Sequence, residues 1–308
     1  MNPETTIRNL TTSALTAISL CVGASHAHAE KPFRTLAVGA TPESAAFGFN
    51  GKLFVTLMGT KREKGDGDGQ VVMVDGDKVS VFTDGLDDPK GIVFAGGKLI
   101  TTDFDKVWSI DAKGVKTLLA GPDSFPKPPL FLNDVVVEPG GKSILVTEMG
   151  DLKAMMAPGG SFWPLDGEEA KNLPPLGRLY RMTLDGEVSV AIDHASEFPN
   201  PNGVDALPGG SLLIAEFFRG TLLEWKSGKW RTISSDHRSG DGIAHDDAGN
   251  LYLTEVWTGH VWHIKAESGE KKLLATLQSA ADLILDAKNQ QVIVPDSKAG
   301  LLVFIPVK

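Results

Sequence analysis

One cysteine, Cys21, occurs in 308 residues, which excludes a disulfide framework and leaves packing to hold the fold. No apolar run reaches the roughly 18 to 20 residues that a membrane-spanning helix needs; the stretch from Ala14 to Ala24 is too short. Positive charge is in deficit, with 30 Lys and Arg against 39 Asp and Glu and a net charge of −9. An acidic surface of this kind argues against nucleic acid or an anionic membrane as partner. Helical periodicity is missing after residue 40, and nothing there has linker composition, so a single domain built from strands is expected.

What the chain does have is a repeat. A polar residue, an apolar strand, a Gly or Asn turn, a second apolar strand and usually an acid recur six times. The phrases are PESAAFGFNGKLFVTL from Pro42, PKGIVFAGGKLITTD from Pro89, LNDVVVEPGGKSILVTE from Leu132, PNGVDALPGGSLLIAE from Pro201, GDGIAHDDAGNLYLTE from Gly240 and ADLILDAKNQQVIVPD from Ala281. Their leading polar residues, Glu43, Lys90, Asn133, Asn202, Asp241 and Asp282, are spaced by 47, 43, 69, 39 and 41. A period of roughly 40 to 50 residues built from strands and turns predicts an all-β, six-bladed β-propeller. Blade four shows the expected four strands over Val204–Leu207, Ser211–Ala215, Thr221–Trp225 and Lys229–Ile233. The sixth unit ends after Leu301–Pro306 and lacks an outer strand, so the segment Phe33–Leu36 is expected to close the last blade from the N-terminal end.

Residues 1–29 read as a signal peptide: Arg8, the apolar run, then Ala27-His28-Ala29 before Glu30. A periplasmic or secreted protein follows, with 30–308 as one propeller domain, no membrane anchor, and a monomer expected. The long spacing in blade three marks an insertion over 149–177, expected over the polar ring as a lid or substrate wall with Met155, Met156, Phe162 and Trp163 on its underside. The other reading is a disordered decoration. The Asp-Gly alternation over 61–69 lacks the bidentate acid of a calcium loop and reads as a solvated turn.

One polar residue per blade at the start of each inner strand makes a ring. Glu43, Asn133, Asn202 and Asp241 are all oxygen donors, and the six include no histidine or cysteine. Such a set suits a hard divalent cation, Ca²⁺ above all, with Mg²⁺, Mn²⁺ or Zn²⁺ as alternatives. A water-filled polar axis with strand-entry turns explains the same residues without a metal. The acids Glu148, Glu216, Glu255 and Asp296 recur about 14 residues after the ring position, a regularity expected of acceptors for backbone N–H groups.

The motifs Pro42-Glu43-Ser44, Phe131-Leu132-Asn133-Asp134, Pro201-Asn202-Gly203-Val204 and Gly240-Asp241-Gly242-Ile243 resemble, in order and blade position, the metal-binding motifs of the regucalcin/gluconolactonase family of six-bladed propellers. The resemblance covers nearly the whole chain after residue 29. It implies a calcium-type, metal-dependent lactonase in which Glu43, Asn202 and Asp241 are ligands and Asn133 is a ligand or substrate contact. Paraoxonases share this set, with an acid after the blade-three asparagine, as Asp134 stands here. The chain departs from the pattern at Lys90, an ammonium in the ring beside Glu43 or Asp282, and in showing no histidine pair of the paraoxonase kind. The expected chemistry is hydrolysis of a small-molecule lactone with one divalent cation. Asp241 takes a proton from water, Lys90 or His237 steadies the developing charge, and Asn133, Met155, Phe162, Trp163 and Asp282 contact substrate. A metal-free enzyme like strictosidine synthase and a non-enzymatic binding propeller remain as alternatives.

Overall fold

The computed structural model describes residues 33–61 and 63–307; the expected leader, with Cys21, lies outside the described residues. Six four-stranded antiparallel sheets stand in a ring as a six-bladed propeller. Blade four runs Pro201–Ala206, Leu212–Glu216, Thr221–Lys226 and Lys229–Ser234, within a few residues of the sequence reading. Its first hairpin turns through Gly209 and Gly210 at φ 88° and 81°, a conformation in which a side chain would be strained.

Alternation along the strands sends apolar side chains to both faces of every blade, so each blade packs on two neighbours. Ile100 and Val107 of blade two meet Val146 and Tyr180 of blade three in one such layer. Val55 and Leu302 join blades one and six in another. Similar layers fill the remaining interfaces. Closure of the last blade follows the expected route: Arg34–Ala37 pairs antiparallel with Leu301–Pro306, from Arg34 opposite Phe304 to Ala37 opposite Leu301. The Arg34 guanidinium lies over the Phe304 ring at 4.2 Å.

Five of the six inner strands start with the same irregularity. Pro42 pairs with Leu57 and Ala45 with Val55, so three steps on the inner strand match two on its neighbour, which is a β-bulge. The same shift occurs after Pro89, Leu132, Pro201 and Gly240. The freed amides find threonine hydroxyls on the second strand. Ser44 N–H donates to Thr56 Oγ1 at 2.9 Å, Asp134 N–H to Thr147 at 2.8 Å and Gly242 N–H to Thr254 at 2.9 Å. Thr56 and Thr147 then donate onward to the carbonyls of Lys90 and Asn202 in the next blade, at 2.8 and 2.7 Å. One hydroxyl thereby holds a bulge and stitches two blades.

The inner strands approach so closely here that several positions admit no side chain. A Cβ on Gly203 would lie 1.9 Å from the Asp241 carbonyl oxygen, and one on Gly242 would lie 2.2 Å from an Asp282 carboxylate oxygen. Gly203→Ala should therefore force blades four and five apart and destabilise by roughly 3 kcal/mol. Gly210→Ala, in open space on the hairpin, should show only the left-handed backbone penalty of about 1 kcal/mol. Denaturant melts of both variants check the difference; equal losses would mean that the axis is not tightly packed.

Candidate functional site

The bulges turn the residue after each strand start toward the axis. Glu43, Lys90, Asn133, Asn202 and Asp241 all line one cavity of about 650 Å³, a size typical of small-molecule sites. The sixth place belongs to Ala281, which lines the cavity, and not to Asp282. Ala280 bridges to Asp296 as Gly240 pairs with Glu255, which fixes the register. Asp296 follows Ala281 by 15 residues whereas Glu255 follows Asp241 by 14, and this extra residue displaces the sequence count by one. The expectation that Asp282 contacts substrate is corrected accordingly. Its carboxylate accepts from the Ser44 hydroxyl and from Leu283 N–H, just beyond the ring.

Electrostatics in the ring are dominated by burial. Burial holds the Glu43 carboxyl well above the usual range, opposed by Lys90 and reinforced by Asp241, Asp282 and Asp88. Asp241 is pushed up to about 7 by burial and by Asp282, against Lys90 and a hydrogen bond from Asn202. Lys90, 3% exposed, places Nζ 3.4 Å from Asp88 and 2.8 Å from the Met58 sulfur, with the Phe131 ring at 5.5 Å. The Asn133 amide nitrogen donates to the Met149 sulfur at 2.9 Å. Behind the ring, Asp134 bridges blades three and four by accepting Val204 N–H at 2.8 Å. Burial raises Asp134 well above its ordinary value, with Asp282 adding to the effect, and burial raises Asp282 to about 6.

Two buried ring oxygens, Glu43 Oε2 and Asn202 Oδ1, have no hydrogen-bond partner. Unpaired buried acceptors are costly unless something positive reaches them. Among the described residues no three His, Cys, Asp or Glu side chains are grouped to hold a metal. The ring offers instead two carboxylates and two amides, and that oxygen set, with its two orphaned acceptors, fits a hard divalent cation.

The remaining expected residues divide. Phe162 lines the cavity, whereas Met155 is fully buried beneath the insertion and Trp163 packs beside it, its indole N–H donating to the Ala154 carbonyl at 3.0 Å. Neither Met155 nor Trp163 lines the cavity. His237 stands away from the ring: it is 1% exposed and bonds to Ser234 Oγ at 2.8 Å and Glu255 Oε1 at 3.3 Å. Its expected part in steadying the reacting charge is corrected for that reason. Burial also holds its imidazole below the ordinary value, against the pull of Glu255.

The strand-two acids are structural acceptors. Asp296 receives Gln278 and Ser279 N–H, Glu216 receives Asn200 and Arg219 N–H, and Glu148 receives Leu130 N–H, Arg178 and Tyr180. Asp103 does the same for Asp87 and Asp88, a role that the sequence reading missed. Glu255 collects side-chain donors instead: Thr258, His260 and Trp262 besides His237.

Also missed was the residue after each acid. Met149, Phe217 and Val256 follow Glu148, Glu216 and Glu255 and form an apolar collar above the ring, joined by Met58 after Leu57. The repeated triplets Thr147-Glu148-Met149 and Thr254-Glu255-Val256 carried this signal: one residue pins the bulge, one ties the loop, one faces the cavity.

No protein-family model matches the sequence, and no curated protein matches it. Solved structures do match. A gluconolactonase of Xanthomonas campestris, described as important in glucose secondary metabolic pathways, has 19% identity and a TM-score of 0.68, over 90% of each chain. A structural-genomics target provisionally described as a gluconolactonase has 17% identity and a TM-score of 0.66, over 90% of this chain and 92% of its own. This chain therefore shares the six-bladed propeller fold of solved gluconolactonases.

Proposed function

We propose that the protein is an exported hydrolase that opens a lactone at the floor of the axial cavity. The observation that carries the reading is the buried convergence of Glu43, Asn133, Asn202 and Asp241 on one cavity, with one carboxylate oxygen of Glu43 and the amide oxygen of Asn202 left without hydrogen-bond partners. The fold shared with gluconolactonases supports it. These four residues would hold one divalent cation, Ca²⁺ matching them best. When bound, such an ion polarises an ester carbonyl and stabilises the negative charge that water addition creates.

The chain's own groups supply the rest. Asp241, a carboxylate near neutrality, accepts the proton of the attacking water. Lys90 favours the ionised forms of Glu43 and Asp241. Phe131 and Phe162 limit water in the cavity, the latter as part of an insertion acting as a wall. A second reading, a binding propeller without catalysis, is favoured by the same lysine, whose ammonium neutralises ring charge without any metal.

Metal dependence has a pH signature. The Asp241 carboxyl is raised to about 7 in the fold and Glu43 is raised well above its usual range, so their contribution to stability is complete below the unfolded carboxyl range and is lost as pH rises through the folded values, about 7 for Asp241. Chelated protein should melt progressively lower between pH 5.5 and 8. Calcium should restore the loss, by about 2.7 kcal/mol at 100 times its Kd. Thermal melts with and without chelator, alongside elemental analysis, measure this; identical curves and no bound metal would remove the cation from the site.

Ring and scaffold acids separate by mutation. Asp241→Asn should keep the fold and lower kcat by two or more orders of magnitude. Glu255→Gln should leave chemistry largely intact and destabilise by about 1 to 3 kcal/mol, because His237, His260 and Trp262 lose a charged acceptor. A lactone assay and a melt on both variants decide the assignment; an active Asp241→Asn protein would move the base elsewhere.

A further inference from the structure

We infer that the cavity selects lactones bearing an apolar substituent over polyhydroxylated sugar lactones. The inference rests on the lactonase reading of the ring and concerns the wall above it. Phe162 from the blade-three insertion, Phe217 and Phe218 from blade four and Trp257 from blade five form a contiguous aromatic cluster. Phe217 meets Trp257 edge to face at 5.1 Å and Phe218 likewise at 5.0 Å, and Phe162 lies tilted against Trp257 at 5.6 Å. Phe162, Phe217 and Trp257 line the cavity with Met149 and Val256. Trp257 is 37% exposed although its ring is held by three aromatic neighbours. A large apolar face kept rigid and open to the cavity gains by covering it, and no ordering is left for a ligand to impose.

The polar side chains of the wall tell the same story by what they already do. Thr41 donates its hydroxyl proton to the Gly59 carbonyl, Ser279 to the Val256 carbonyl and Ser297 to the Pro42 carbonyl. Each hydroxyl has one proton and has committed it to backbone. Lys298, the remaining cationic lining residue, is exposed at the rim. A sugar lactone entering this space would bury several hydroxyls against aromatic faces with few donors to meet them, an unfavourable exchange. An unbranched alkyl substituent has no such need.

The test separates the wall from the chemistry below it. Binding of 5-alkyl-2-pyrrolidinones, lactams that keep the ring shape and resist hydrolysis, is measured by calorimetry from methyl to pentyl. Hydrolysis of the matching γ-alkyl lactones and of glucono-δ-lactone is followed in parallel. Affinity and kcat/KM should rise up to about fourfold per added methylene, the value of a fully buried CH₂. Trp257→Ser, at a partly exposed position, should flatten both series, and Phe162→Ala should do likewise.

Lactam affinity that rises with length without hydrolysis of any lactone would uphold the apolar subsite and sink the lactonase reading. Turnover of glucono-δ-lactone with no length dependence in either series would sink the subsite and leave the lactonase reading standing. Length dependence that survives in both variants would overturn the assignment to this aromatic wall.

Discussion

Inner strands meeting at one axis have too little room for ordinary strand starts, and the extra residue at five of the six starts resolves that conflict. The bulge turns one side chain inward, and it leaves an amide that a second-strand threonine satisfies in three of the blades. Because Thr56 and Thr147 also donate to the next blade, the position of a ring residue depends on its neighbour's hydroxyl as well as on its own strand. Ring geometry and blade packing are thus one constraint. The glycines at 91, 203 and 242 belong to it too, since a Cβ at any of them would strike the adjacent inner strand.

Function draws on the polarity this arrangement enforces. Glu43 and Asp241, with Asp134 and Asp282 behind them, are held in a buried space with Lys90 as the cation among them, so each carboxyl is raised from its ordinary value. Directly above lies the apolar collar of Met58, Met149, Phe217 and Val256. A charged floor under an apolar wall suits a ligand with one polar reacting group and a hydrophobic remainder.

The architecture was legible because strand and turn periods survive in the sequence without any knowledge of contacts. Blade count, blade four's strands and the closure by the N-terminal segment all rest on that period. Five ring residues, Glu43, Lys90, Asn133, Asn202 and Asp241, were legible for the same reason, each preceding an apolar strand by a fixed offset. Asp282 was misplaced because a single extra residue in blade six shifts the offset, and only the bridge from Ala280 to Asp296 reveals it. His237 was misplaced because nearness in sequence to Asp241 says nothing about which way a loop turns; its imidazole is spent on Ser234 and Glu255. The sequence places Met155 and Trp163 on the cavity wall, whereas they pack behind it in the apolar layer that joins the insertion to Phe131, Phe217 and Phe218, a distinction between two buried faces that composition does not carry.

Closure by Arg34–Ala37 beside Leu301–Pro306 has a consequence for how such a chain can change. Both ends of the described fold are used up in one blade, so the ring presents no free module at either end onto which a seventh could be appended. A blade can be gained or lost only by duplication or deletion within the chain, and any such event must preserve the handover from one blade's threonine to the next blade's carbonyl. The outer loops carry no such obligation. Variation is therefore channelled into segments such as the blade-three insertion, where new walls can be built over an axis that itself has little freedom to alter.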